Sequence, residues 1–453
     1  MLLENKIGIA KRVVKIQVKQ KTNDLEKGVL RMRKFLISFV AIFMISVWCV
    51  GMAGAATEAE KRAAIDSGLA YLASTQNAAG YFPGSNGSGT DYLISQTGSA
   101  LLAFLEEKPN WVTTANAATY QTVVDKALNY LLSQASIVNI LAQPAADGDS
   151  NGVGVKFYPG VANTRDTYVT GIVLPAIASS GTPNAVVTVG PLAGRTDGSG
   201  PGGAWTYRDV VQNTIDYFAY GQNSDGGWRY YANYGGSDQS TTQWPVIAML
   251  YASKMGVTVP TFVKTELAKW VDYIQNDTTG AAGYTSPTFY YGRMNETGAL
   301  LLEQAFLGWA KSDPRVQAAL DFLDNQWKIG LSSYEGNFGQ PYGMWAIYKG
   351  LELTIGVDNM AEISNLHADP GDVDNPWHDW NWFEDYCEWI FNNQLANGSW
   401  AGYSSWGSGL ATPWYINILA ATDIPDQPVP EPATMLLLGL GIIGLAGVRK
   451  IRK

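Results

Sequence analysis

The sequence predicts an all-α body built from about six repeated helix pairs, and three observations carry that expectation. Segments at 64–76, 124–134, 212–222, 266–275, 318–326 and 384–394 each read as an amphipathic helix running through an aromatic residue to a closing Gln. Each is followed by a loop of Gly and aromatic residues, then by a second helix of smaller, more apolar residues, clearest after Gln96, Ser240 and Asn295. In both helix types the apolar positions recur at i, i+3, i+4 and i+7, as in a helix with one buried face. The repeats are spaced by about 52 residues from the third to the fifth, and more widely around the second and sixth. Insertions are expected there, at about 140–205 and 354–381.

Before the first repeat lie two other segments. Residues 1–31 are basic, lack an apolar run and read as an upstream extension before Met32. Met32-Arg33-Lys34, the apolar run 35–50 and Ala53-Gly54-Ala55 are the basic, apolar and small-residue regions of a secretory signal peptide over 32–55. Export is therefore expected. The whole chain carries 31 Lys/Arg against 40 Asp/Glu, a net of −9; without its two ends the body keeps 17 against 35, about −18. Such a surface repels nucleic acid and anionic lipid, and it disfavours a strongly acidic polysaccharide unless a metal intervenes. Cys49 falls in the signal and Cys387 is the only other cysteine, so the exported body has no internal disulfide and rests on packing. The 56–424 stretch reads as one domain because the repeats run through it without a break.

The loops share a motif. Gln222, Gly226 and Trp228 match Gln394, Gly398 and Trp400 as Q-x3-G-x-W, and Gln76, Gly80 and Phe82 form a Phe variant. The Gln is expected to bond the open carbonyls at its own helix end, the Gly to supply a positive φ, and the Trp to fold back over the turn. That is a structural staple.

After a linker over 425–432, which holds Pro430-Glu431-Pro432, the chain ends in an apolar run and a basic stop. The uncharged stretch 433–448 is about sixteen residues, short of the ~20 needed to span a bilayer. Arg449, Lys450, Arg452 and Lys453 would hold its end in the cytoplasm. The tail resembles the PEP-C-terminal signal of Gram-negative bacteria. That resemblance implies an exosortase-type protease and the secretion machinery as partners, transient anchoring of 433–453 in the inner membrane, and final residence in the envelope or extracellular matrix. A plain tail anchor is the alternative.

The body resembles the prenyltransferase and squalene-cyclase repeat superfamily over about 60–424. The resemblance implies an α/α toroid in which twelve helices alternate between an inner and an outer ring. The superfamily's chemistries are only partly represented. Cyclases use an Asp-rich D-x-D-D cluster to protonate an alkene. Here the nearest string is Asp372-Val373-Asp374-Asn375, and the matching place in the third repeat holds a single acid, Asp238, expected to cap its helix. The zinc ligands of protein prenyltransferases are echoed by Asp385 and Cys387 without a downstream His. His367 and His378 lie upstream, so a site from Asp385, Cys387 and His378 would be improvised, and Cys387 reads more simply as a buried small residue. The thioester string Cys-Gly-Glu-Gln is absent.

Two constellations remain. Tyr291, Arg293, Asn295 and Glu296 sit together before a second-type helix, the residue types a glycan lyase or hydrolase needs; capping and packing are the plainer role. Asp147, Asp149 and Asn151 match the first half of an EF-type calcium loop, D-x-[DN]-x-[DN]-G, but position twelve is Tyr158 where Glu is required. Asp369, Asp372 and Asp374 form a second acidic cluster. The resulting expectation is an exported, envelope-associated toroid that binds an extracellular ligand such as exopolysaccharide in its central cavity without catalysis. The alternatives are a glycan lyase or hydrolase built on Tyr291, Arg293 and Glu296, or a terpenoid cyclase-like activity near Asp238.

Overall fold

The computed structural model describes residues 56–84, 90–158, 165–330, 335–367, 380–423 and 425. The expected signal peptide, the sorting tail with Pro430, Glu431 and Pro432, the 369–374 acidic cluster and His378 lie outside them. Twelve helices of eleven residues or more form six pairs among the described residues. They are α1 (Glu58–Thr75) with α2 (Thr90–Glu106), α3 (Ala117–Ser133) with α4 (Asp166–Ser179), α5 (Tyr207–Gly221) with α6 (Gln239–Ala252), α7 (Thr261–Ile274) with α8 (Arg293–Phe306), α9 (Pro314–Gln326) with α10 (Pro341–Ile355), and α11 (Trp382–Asn392) with α12 (Ser408–Leu419). Strands β1 (Ser136–Asn139) and β2 (Val153–Lys156) form an antiparallel hairpin in the second pair, and β2 packs on α5.

The even-numbered helices make a closed inner ring. Each packs on the next in the order α2, α4, α6, α8, α10, α12, and α12 returns to α2. Their environments explain their composition. An inner helix touches neighbours on every side, so α10 is buried without interruption from Pro341 to Leu351. An outer helix typically buries one stripe, in α9 Val316, Ala319, Leu320, Phe322 and Leu323; α5, covered by the hairpin, is buried nearly all round. The six-pair α/α toroid expected from the repeats is the fold observed.

The junctions between repeats differ from the sequence expectation. The motif Gln does not bond its own helix end. At the C-cap Gln76, Gln222 and Gln275 are extended, with ψ near 130°, so their side chains leave the parent helix. Each amide donates to the carbonyl of its loop Gly and to a carbonyl of the next outer helix. Gln222 Nε2 bonds Gly226 O at 2.8 Å and Val263 O at 3.0 Å. Gln76 pairs likewise with Gly80 and Val123, Gln275 with Gly280 and Arg315, and Gln394 with Gly398 and Ala64.

The glycines explain themselves in the same way. Gly80, Gly226, Gly280 and Gly398 have φ between 75° and 99°. A Cβ on any of them would meet a carbonyl oxygen of the next outer helix at 2.0–2.4 Å, always three residues past the one bonded by Gln. Four of the six repeats are thus clamped to their successors, and the last clamp, from Gln394 and Gly398 onto α1, closes the ring. An ion pair between the buried Lys61 of α1 and the half-buried Glu384 of α11, at 2.7 Å, spans the same seam. The Trp behaves as expected: the indoles of Trp228 and Trp400 donate back to Phe218 O and Ile390 O at 2.8 and 2.7 Å. Their backbone N–H groups donate to Thr242 and Thr412 hydroxyls on the inner helices, tying loop to core.

A second difference concerns 140–205. That stretch is not one insertion, because the inner helix α4 lies within it, flanked by the hairpin and a loop. Its run 171–178 is continuously apolar and contains Pro175, so it shows no amphipathic period. Among the described residues, no helix is long and apolar enough to cross a membrane.

Candidate functional site

A cavity opens where the N-terminal ends of the six inner helices converge. Every one of them contributes a residue of its first two turns: Tyr92 of α2, Tyr168 of α4, Ser240 of α6, Asn295 and Glu296 of α8, Tyr342 of α10 and Leu410 of α12. Loops add Arg165, Arg229, Tyr230, Tyr284, Tyr291 and Trp406. It has two lobes of about 170 and 420 Å³ that share Tyr230, Ser240, Tyr342 and Trp406. Convergent helix N-termini give the wall a positive dipolar bias.

The floor is a packed aromatic layer. Trp406 stacks on Tyr342 at 4.9 Å between ring centroids, Tyr342 meets Trp244 at 6.1 Å, and Trp244 stacks on Trp414 at 6.0 Å. Deeper between Trp244, Trp345 and Trp414 only about 10 Å³ of space remains, no more than one water needs. The Tyr342 hydroxyl is fixed from below. It donates to Ser240 O at 2.7 Å and receives the Gln243 amide, whose oxygen accepts from the buried ammonium of Lys349 at 3.0 Å. Lys349 also lies 4.4 Å over the Trp244 ring. Burial holds Lys349 well below the usual lysine range, and it pushes nearby Glu303 well above the carboxylate range.

Glu296 is the distinctive group of the wall. Its Oε1 accepts the backbone N–H groups of Tyr291 and Gly292 at 3.2 and 3.4 Å, while Oε2 is buried without a partner. Burial, only partly offset by those two bonds and reinforced by the charges of Glu335 and Asp238, pushes its carboxyl up to about 8. Glu296 therefore stands protonated at neutral pH. Asn295 beside it also has a buried, unpartnered oxygen. Opposite, the Tyr230 and Tyr284 hydroxyls bond each other at 2.9 Å.

The other sequence-singled residues fall at different places. Tyr291 lines the larger lobe, half exposed, edge-on to Tyr284 at 4.8 Å. Arg293 does not line the cavity; its guanidinium lies over Tyr290 at 4.3 Å and faces Glu335 at 3.8 Å. Arg229 supplies the cation of the larger lobe instead. Asp238 is fully buried behind the wall as the N-cap of α6, accepting from Thr241 N at 2.8 Å and Ser240 Oγ at 2.7 Å, with Arg229 at 3.4 Å. Asp385 is occupied by the Trp327 and Trp380 indoles and by His367. Cys387 is buried, and burial pushes its thiol well up.

Asp147 and Asp149 come together, but their third carboxylate is Asp216 of α5; one oxygen from each lies within 4.8 Å of the others. Asn151 bridges Asp149 to Asn213 of α5. Sequence reading missed Asp216, and also Tyr168, Arg229, Tyr230, Tyr342 and Trp406. A signal for the first-turn members existed: Tyr168, Ser240, Asn295 and Tyr342 all sit second or third in their inner helices.

Residues 428–453 match the model of the PEP-CTERM protein-sorting motif. The chain carries an exosortase-type C-terminal sorting signal. It is an exported protein with a toroidal helical body. No curated protein matches the sequence. Among solved structures the chain is similar to the type II terpene cyclase MstE from Scytonema, at 12% identity and a TM-score of 0.46, over 81% of this chain and 98% of that one. It is similar also to a family 76 glycoside hydrolase (mannosidase) from Bacteroides thetaiotaomicron, at 12% identity and a TM-score of 0.48, over 80% and 98%. A protein from Actinoplanes aligns at 13% identity and a TM-score of 0.44, over 80% and 99%.

Proposed function

We propose that this exported toroid is an envelope-associated protein that binds an extracellular polyhydroxylated ligand, such as a neutral exopolysaccharide, in the cavity at the inner-helix N-termini. The observation that carries the reading is the pairing of aromatic faces with unpartnered polar atoms on one wall. Tyr342, Trp406, Tyr230 and Tyr284 offer ring surface, while Asn295 Oδ1 and Glu296 Oε2 are buried without hydrogen-bond partners. A buried polar atom left unpaired costs about 1–3 kcal/mol, and a sugar hydroxyl, which both donates and accepts, returns that bond while its apolar face stacks on a ring. The acidic body favours a neutral glycan over a polyanionic one. The filled floor argues against a long isoprenoid chain, since ligand cavities ordinarily run to ~300–1,000 Å³ and the space beneath the aromatic layer is about 10 Å³.

Glu296 favours a second reading, in which the same cavity cleaves a glycan. A carboxylic acid protonated at neutral pH in the cavity wall is suited to general acid catalysis. One assay separates the two. Calorimetric titration with neutral oligosaccharides is expected to show binding without release of new reducing or unsaturated ends, and Trp406→Ala is expected to weaken it about tenfold. Turnover abolished by Glu296→Gln would establish the second reading. No binding by any glycan, together with no turnover, would reject both.

A further inference from the structure

We infer that Asp147, Asp149 and Asp216 form a calcium site that pins the β1–β2 loop to outer helix α5. The argument is independent of the cavity. Three carboxylates are gathered so that one oxygen from each lies within 4.8 Å of the others. Oxygens sharing one calcium at ~2.4 Å can be no farther apart than about 4.8 Å. Among the described residues, no Lys or Arg is ion-paired with any of the three, so the cluster lacks its counter-charge.

The second observation is Asp216 itself. Its side chain is fully buried, and while Oδ1 accepts from Gly148 N at 3.1 Å and Gln212 Nε2 at 2.9 Å, Oδ2 has no partner. A buried carboxylate oxygen next to two other acids, with neither donor nor cation, is a costly arrangement that a cation resolves. Neighbouring bonds hold the loop acids in place. Asp147 accepts from Asn151 N and Gly152 N at 3.2 and 2.6 Å, and Asp149 Oδ2 accepts from the Asn151 and Asn213 amides at 3.0 and 3.1 Å. Gly148 permits the approach, since a Cβ there would lie 2.6 Å from Gln212 Nε2 and 3.0 Å from Asp216 Oδ1.

This also resolves the defective loop motif. The Glu that position twelve lacks is replaced by a carboxylate from a helix about sixty residues downstream. An oxygen-only, multiply acidic set suits a hard divalent cation, and three carboxylates with room for backbone or water ligands suit calcium, which takes 6–8 oxygens, better than octahedral magnesium. The cation's effect would be to fix the β1–β2 hairpin against the outer ring.

The test is calorimetric titration of the full chain, in mild detergent, with CaCl2 and separately MgCl2, alongside thermal unfolding in 10 mM CaCl2 or EDTA. One calcium is expected per chain, with a rise of several degrees in Tm over EDTA. Asp216→Asn is expected to reduce calcium affinity at least about tenfold and abolish the rise, while remaining at least as stable as the natural chain in EDTA. Asp149→Asn, at an exposed position, provides the same reading should Asp216→Asn fail to fold. No calcium-dependent heat or Tm change, or a natural calcium response in both variants, would overturn the site. A magnesium response equal to that of calcium would overturn the choice of metal.

Discussion

Glu296→Gln is expected to leave stability at pH 5 almost unchanged and to make the protein more stable than its parent by a few kcal/mol at pH 8.5. The sign follows from proton binding. In the folded chain Glu296 keeps its proton up to about 8, because burial outweighs its two backbone hydrogen bonds, whereas the unfolded carboxyl loses it near 4.5. Between these values the folded state holds more protons than the unfolded one, so stability declines as pH rises, by up to about 1.36 kcal/mol per unit. The full advantage of the folded state's proton is present below the unfolded value and is gone above the folded one. The difference between parent and variant, measured by urea unfolding at half-unit intervals from pH 5 to 8.5, therefore isolates Glu296. A difference that does not change with pH would mean that Glu296 is ionised in the folded state. In function the same variant separates the two readings of the cavity. As a ligand contact, Gln keeps an acceptor and affinity falls less than about tenfold; as a proton donor, its loss lowers turnover by ~10²–10⁴-fold.

The outer helices were legible because all but α5, which the hairpin covers, bury one stripe, and that leaves a period in the sequence. The inner helix α4 was not, since a helix buried all round has no polar face to set a phase, and Pro175 lies within it. The glycine loops announced turns, yet the sequence could not say that Gln222 reaches Val263, because that contact belongs to the next repeat. The candidate site followed the same division. Tyr291, Asn295 and Glu296 fall within six residues of one another, and a local cluster drew attention to them. Their cavity partners Arg229, Tyr342 and Trp406 come from other repeats, and Asp216 meets Asp147 only because the hairpin folds onto α5. Local patterning thus located the walls of the ring, while the chemistry depends on which walls face each other.

Gly398→Ala is expected to cost about 3 kcal/mol or more. Two penalties add at this position. The φ of 88° strains any residue with a Cβ, and the new methyl would sit 2.4 Å from the carbonyl oxygen of Ser67. The backbone of α1 cannot retreat without breaking the bond from Gln394 to Ala64 O, at 2.8 Å, and loosening the Lys61–Glu384 pair on the same seam. Gly308→Ala is the control, because Gly308 has a φ of 80° but nothing within 4 Å of the new Cβ; strain alone predicts a loss of about 1 kcal/mol there. Gln394→Ala should fall between them at about 2 kcal/mol, two hydrogen bonds being lost from a half-buried site. Urea midpoints of the three variants rank the effects. Equal losses for Gly398→Ala and Gly308→Ala would show that the loop does not bear on α1. A closed ring makes this seam unusual among the junctions, since it joins the first outer helix to the last loop. Opening it exposes the buried stripe of α1 and the face of α12 behind it, so the damage should extend beyond the turn and lower the cooperativity of unfolding along with its midpoint.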